Sequence, residues 1–197
     1  KTWFTEPGHN ITQTVVLDPS ALSLSQQFSL NVVVAIACHE WFSGYAKGET
    51  FIKWPNALYW RHRKAGGILI ENTIRGNKWQ WAIAGMGINI NQVDFAPELN
   101  QAVSLKQITG KDYELVSLAK QRCGLLEMRY QQLLSGEQTA LWEYYNQHLF
   151  RRGQTTRLKK NNLVFDALIE GVNEQGHLVV QSGQGNFFRS GEVEWVI

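Results

Sequence analysis

Two strongly apolar runs, Gly67 to Asn72 and Trp79 to Met86, stand on either side of Gly76-Asn77. A Gly/Asn pair between two such runs marks a tight antiparallel connection, because these residues accept the positive φ a hairpin turn demands. The spacing predicts two strands joined by a hairpin. Their apolar surface must be buried inside the chain or paired across a dimer.

The preceding segments have mixed periods. Ile11 to Val15 alternates apolar and polar, entered through a turn at Glu6-Pro7-Gly8-His9-Asn10 and broken by Asp18-Pro19-Ser20; that is strand period. From Ser23 to Phe42 the apolar residues Leu24, Phe28, Val32, Ala35 and Ile36, with His39, recur at threes and fours. This predicts a helix that Gly44 closes. Phe51 to Trp54 reads as a short strand stopped by Pro55-Asn56, and Ala57 to Trp60 as another. Residues 92–107 read as irregular. Tyr113 to Leu134 reads as an amphipathic helix burying Leu115, Leu118, Ala119, Leu125, Leu126 and Leu133. A shorter helix follows over Thr139 to Leu149. After Arg151-Arg152-Gly153 the pattern changes to five short strand-like runs separated by Gly-containing turns. That is the signature of a small barrel and places a domain boundary near residue 150.

Composition narrows the function. The 197 residues carry 19 Lys plus Arg against 17 Asp plus Glu, a net charge of +2. This balance gives no electrostatic case for nucleic acid or a membrane surface as the main partner. The longest apolar run, Val32 to Cys38, is far short of the roughly 20 residues a membrane span needs. No apolar signal segment follows Lys1. The well-separated Cys38 and Cys123 read as buried free thiols, consistent with a reducing cytoplasm. Eight tryptophans are present. They suit core packing, or for some of them the face of a flat ligand.

Several chemistries are poorly supported. There is no P-loop. Gly85-Met86-Gly87-Ile88-Asn89-Ile90 has only two of the three glycines of a dinucleotide fingerprint. His39-Glu40 lacks the second histidine of a zincin helix, with Ser43 in its place. No His or Cys spacing suits a metal, and no Gly-x-Ser-x-Gly elbow occurs.

What remains is a cluster of short segments. Lys53-Trp54-Pro55-Asn56 is followed by Lys64-Ala65-Gly66-Gly67-Ile68-Leu69-Ile70-Glu71 and then Gly85-Met86-Gly87-Ile88-Asn89. A fixed ammonium at Lys64 beside residues that leave the backbone accessible suits a carboxylate, a phosphate, or both. Gly85 and Gly87 let the backbone run close to a ligand. Asn56 and Asn89 can each read a nucleobase edge or tie a loop. Taken singly, the plainer readings are solvated surface charge for Lys53 and Lys64, core packing for Trp54 and tight strand crossings for the glycines.

Together, these segments resemble the biotin protein ligase (biotin–acetyl-CoA-carboxylase ligase) family. Its Lys-Trp-Pro-Asn-Asp, Lys-x-x-Gly-Ile-Leu-x-Glu and Gly-x-Gly-x-Asn correspond to Lys53 to Ala57, Lys64 to Glu71 and Gly85 to Asn89. Trp3-Phe4-Thr5-Glu6-Pro7-Gly8, with Asn10 after it, resembles the family's Trp-x-Ser-x-x-Gly segment, and Gly191-Glu192-Val193 its C-terminal Gly-Glu-Val/Ile. The resemblance implies an α+β fold: a class II aminoacyl-tRNA synthetase-like mixed sheet with helices over residues 1–150, then an SH3-like barrel over 151–197.

It also implies a two-step reaction. ATP and biotin give biotinyl-5′-AMP, and biotin then passes to a lysine of a biotin carboxyl carrier protein, the acetyl-CoA carboxylase subunit. Lys64 would be catalytic and biotin-binding, Gly66 and Gly67 biotin-binding, and Trp3, Lys53, Asn56 and Asn89 nucleotide-binding. Mg2+ would arrive with the ATP phosphates, with no dedicated protein cage.

Two departures accompany the resemblance. The family's Gly/Arg-rich loop and Ser/Thr-rich strand would precede Lys1, so the chain as it stands is expected to be inactive or impaired. The family's Asp after Lys-Trp-Pro-Asn is Ala57 here. A catalytically impaired relative that only binds nucleotide, biotin or the carrier domain is the alternative, and a lipoate ligase is another. No helix-turn-helix pattern occurs in the chain, so no DNA-binding role is expected within it. Nor is a membrane partner expected; a homodimer is open, and the cytoplasm is the expected location.

Overall fold

The computed structural model describes residues 5–196. Over these residues the chain forms two five-stranded antiparallel sheets and four α-helices, the expected α+β class.

The first sheet contains β1 (Asn10–Leu17), β2 (Thr50–Lys53), β3 (Ala57–Trp60), β4 (Arg63–Arg75) and β5 (Lys78–Asn89), in the order β1-β5-β4-β3-β2. The predicted hairpin is its spine. β4 and β5 pair with each other from Gly66↔Ile88 to Arg75↔Lys78. Gly76 in the turn has φ 58°, a conformation glycine adopts without strain. Both strands extend beyond their apolar cores, because the backbone ladder continues where the side chains turn polar. As a result Lys64 lies within β4.

α1 (Gln27–Ala46) packs against β2, β3 and β4, and also against α3 (Leu115–Leu134) and α4 (Gln138–Gln147). It is buried almost all round between Leu30 and Phe42, which accounts for the unbroken apolar run within it. Gly44 does not end it. The helix continues to Ala46 and stops at the left-handed pair Lys47 (φ 51°) and Gly48 (φ 83°), with Lys47 N–H donating to the Ser43 carbonyl at 3.1 Å.

The segment read as irregular contains a short α2 (Leu105–Thr109). It is capped by the Ser104 hydroxyl, which accepts from Gln107 N–H at 3.1 Å. On α3 the buried stripe is Leu118, Arg122, Leu126, Tyr130 and Leu133, while Leu115, Ala119 and Leu125 are only half-buried. Cys38 and Cys123 are free thiols, but only Cys38 is buried; Cys123 accepts a hydrogen bond from the Gln13 side-chain amide.

The second sheet contains β6 (Thr155–Lys160), β7 (Leu163–Val172), β8 (Leu178–Gln181), β9 (Phe187–Phe188) and β10 (Glu194–Val196), in the order β10-β6-β7-β8-β9. Leu158, Ile169, Leu178, Val180 and Phe188 are buried within it. The two sheets meet where Leu149 forms a parallel bridge to Ile52 and Phe150 N–H donates to the Ile52 carbonyl at 2.9 Å. No helix among the described residues is long and apolar enough to cross a membrane.

Candidate functional site

Residues directly opposed on neighbouring strands project to the same face of a sheet. α1 covers the face carrying Ile52, Leu58, Ile68 and Ile88. On the other face one row runs across all five strands: Thr12↔Gly87, Gly87↔Gly67, Gly67↔Ala57 and Ala57↔Lys53. Between the Thr12 hydroxyl and the Lys53 ammonium this row carries nothing larger than a methyl group. Its floor is therefore a shallow trough of backbone, bounded by a cation at one end.

Gly66 belongs to the opposite face. A Cβ there would lie 2.8 Å from the Gly87 carbonyl oxygen and 3.2 Å from Ile88 Cγ1. It is a glycine because β4 and β5 approach closely at that point. Gly85 has ordinary space, 3.7 Å to the Leu69 carbonyl oxygen, and sits one step along the trough face from Gly87.

The turn after Lys53 is tied from four directions. Trp54 is buried, and its indole N–H donates to the Gly176 carbonyl in the second sheet at 2.9 Å. The Pro55 carbonyl accepts from the Asn31 amide at 2.8 Å and from the Tyr145 hydroxyl at 3.1 Å. The Asn56 amide donates to the Ile68 carbonyl at 2.6 Å, and Ile68 N–H returns a bond to the Asn56 carbonyl at 2.9 Å. Asn56 thus ties a loop, one of the two roles its sequence position left open. These contacts fix the ends of β2 and β3, and so the direction in which Lys53 leaves the backbone.

Lys53 Nζ donates to the Tyr59 hydroxyl at 3.1 Å and lies 4.7 Å from the centre of the Tyr59 ring. Tyr59 is directly opposed to Lys64 on β4, so Lys53, Tyr59 and Lys64 share the trough face. Burial pushes the Tyr59 phenol above its ordinary pKa, keeping it a neutral acceptor for the ammonium. The Lys64 backbone is pinned on its far side: its N–H donates to the Gln101 carbonyl at 2.7 Å and its carbonyl accepts from Val103 N–H at 2.9 Å. Tyr59 was missed from sequence. Its place two residues after Ala57 on a short strand was the available signal, since strand period puts the two on one face.

Asn89, at the end of β5, is buried and donates to the Val103 carbonyl at 3.2 Å; its strand partner is Asn10. The Asn10 side chain accepts from Ile90 N–H at 2.9 Å. These contacts lock the end of the trough. Trp3 lies outside the described residues.

Among the described residues no group of three His, Cys, Asp or Glu side chains could hold a metal ion. The side chains on the trough row offer a hydroxyl and an ammonium rather than carboxylates. They suit an anion and do not form a Mg2+ cage. A cleft of about 480 Å³ between β1 and α3 takes in Thr12 at one end of this row, and another of about 510 Å³ lies beside Phe51 and Arg151.

The fold and the site together define an α+β protein with an open, glycine-floored sheet face equipped to bind an anion. Residues 1–89 match the family model described as biotin/lipoate A/B protein ligase family. The chain is 28% identical over 191 residues to the bifunctional ligase/repressor BirA of Bacillus spizizenii, covering 94% of this chain and 58% of that protein. It is 29% identical over 174 residues to the biotin–protein ligase of Schizosaccharomyces pombe, covering 79% of this chain and 27% of that one. Among solved structures, the biotin protein ligase from Aquifex aeolicus in complex with biotin and ATP superposes with a TM-score of 0.79 at 20% identity, over 94% of this chain and 78% of the other. The family match thus covers the first 89 residues, while the similarity to the Bacillus relative and to the Aquifex fold runs over 94% of the chain. It spans 58% of the length of the Bacillus relative it matches.

Proposed function

We propose that the protein is a biotin protein ligase. In the first step a biotin carboxylate oxygen attacks the α-phosphorus of ATP, forming biotinyl-5′-AMP and releasing pyrophosphate. In the second, the ε-amine of a lysine on a biotin carboxyl carrier protein attacks the acyl carbon and AMP leaves. The observation that carries this reading is the Thr12–Gly87–Gly67–Ala57–Lys53 row, flanked by Lys64. A ligand with two anionic groups can lie on bare backbone there with an ammonium at hand for each.

Lys64 neutralises the carboxylate and α-phosphate as they approach, and stabilises the charge that develops between them. Gly67 supplies the floor under the biotin tail, and Gly66 lets β4 and β5 close to the spacing that makes that floor continuous. Lys53 serves the nucleotide side, with Asn56 and Asn89 holding the backbone around it and Trp3 offering a flat face to the adenine. Magnesium enters with the triphosphate. Residues 1–150 form the catalytic unit, and residues 151–197 form an SH3-like unit docked against it.

The relatives and solved structures named above support biotin over lipoate as the acid activated. An impaired binder is the reading that Ala57 would favour. The protein acts in the cytoplasm, where its carrier is made.

Incubating the full-length protein with biotin and Mg–ATP, and resolving the products by mass spectrometry, tests this. Biotinyl-5′-AMP, followed by a mass gain on an added carrier domain, is the expected result. Nucleotide binding without any adenylate would leave the binder reading in its place.

A further inference from the structure

The ligase reading uses Lys53 but does not say what holds it. A lysine has four rotatable bonds and loses freedom when its ammonium must meet a phosphate at one place. In this structure the ammonium is already held. Besides the Tyr59 hydroxyl and ring, it lies 5.5 Å from the centre of the Trp195 ring on β10. Phe150 packs against both aromatic residues, 5.2 Å from Tyr59 and 5.9 Å from Trp195 between ring centres. The slot is thus assembled from β3, β10 and the Leu149–Phe150 junction, along the seam between the two sheets. The Trp195 indole N–H is buried without a hydrogen-bond partner among the described residues, a donor left over on one wall of the slot.

We propose that Tyr59 and Trp195 are positioning residues for Lys53: hydroxyl on one side and ring faces on both, they fix its ammonium on the trough face for the triphosphate of ATP. This rests on the ligase reading and deepens it. The second sheet then does more than pack against the first. Its last strand supplies one wall of the slot, so the nucleotide side of the site depends on the sheets being docked. An ammonium near two aromatic rings is attracted by their quadrupoles. It also gives up little on meeting an anion, since its location is already fixed.

The test uses the full-length protein with three variants: Tyr59→Phe, which keeps the ring and removes the acceptor; Trp195→Leu, which removes a ring face; and Trp195→Phe, which restores one. Mg–ATP binding is measured by calorimetry, and the Lys53 side-chain signals are followed by NMR of 13C-lysine-labelled protein. In the wild type the Lys53 methylene protons are expected upfield, under two ring currents. Trp195→Leu should move them toward the random-coil position and weaken ATP binding about fivefold or more, with Trp195→Phe recovering most of that loss. Tyr59→Phe should weaken ATP binding by a smaller factor of about three while leaving biotin binding unchanged. An unshifted Lys53 signal in the wild type, or equal weakening of ATP and biotin, would overturn the proposal. Failure of the ligase reading shows separately, as ATP binding and Lys53 shifts that behave as described with no biotinyl-5′-AMP formed.

Discussion

The indole N–H of Trp54 donates to the Gly176 carbonyl at 2.9 Å, joining the turn after Lys53 to a turn of the second sheet. Gly176 has φ 79°, and a Cβ built there would lie 2.3 Å from Phe28 Cδ2 on α1. The position therefore tolerates no side chain, on backbone and steric grounds together.

Gly176→Ala should cost about 2–4 kcal/mol of stability, since left-handed strain adds to a clash with a packed ring. Denaturant unfolding followed by tryptophan fluorescence measures it. A loss under about 0.5 kcal/mol would mean that the turn moves aside freely and that Trp54 does not anchor the second sheet.

Lys64→Ala should abolish adenylate formation and shift Tm by no more than about 2 °C, because the backbone bonds to Gln101 and Val103 survive the substitution. Single-turnover assays of biotinyl-5′-AMP paired with calorimetric melting separate the two effects. A large fall in Tm would make Lys64 a structural residue.

Ala57 is directly opposed to both Lys53 and Gly67. Ala57→Asp places a carboxylate in the middle of the trough row, next to the held ammonium and within reach of a metal carried by the phosphates. The first step should accelerate, by about tenfold as an order of magnitude for one well-placed charged group. Comparing first-step rates of the two full-length proteins across Mg2+ concentrations checks it; no gain at any concentration would sink the idea.

His39 is buried, accepting at Nδ1 from the Tyr144 hydroxyl at 3.1 Å and donating from Nε2 to the Thr50 carbonyl at 3.0 Å. Desolvation pushes its pKa from 6.5 down to about 4. Below pH 6.5 the unfolded chain binds this proton and the folded one does not. Stability is therefore full above pH 6.5, declines as the pH falls to about 4, and loses about 3 kcal/mol on this account. His39→Gln should flatten that part of the profile relative to wild type, whatever its effect at neutral pH. Denaturation midpoints measured from pH 4 to 7.5 test it, and parallel profiles for the two proteins would rule it out.

Much of this was legible in the chain. The hairpin at Gly76-Asn77, the run of short strands after Gly153 and the two long helices follow from local period and turn chemistry, which act over a few residues. The glycines and lysines of the site stood out as well. Boundaries were less legible: Gly44 sits inside α1, and the helix stops only at the left-handed pair Lys47 and Gly48. Arg122 escaped notice because nothing in an amphipathic stripe announces that a charged residue will take a core position, 1% exposed, with its guanidinium bonded to Gln13 on β1.

The sequence by itself determined the elements and the set of candidate groups: two lysines, four glycines and two asparagines in three short segments. Only the tertiary structure decided which of them share a face. The strand register aligned Thr12, Gly87, Gly67, Ala57 and Lys53 in one row and turned Gly66 away. The docking of a sheet more than a hundred residues downstream brought Trp195 against Lys53. Register and docking are set by long-range pairing and burial, which no local pattern encodes.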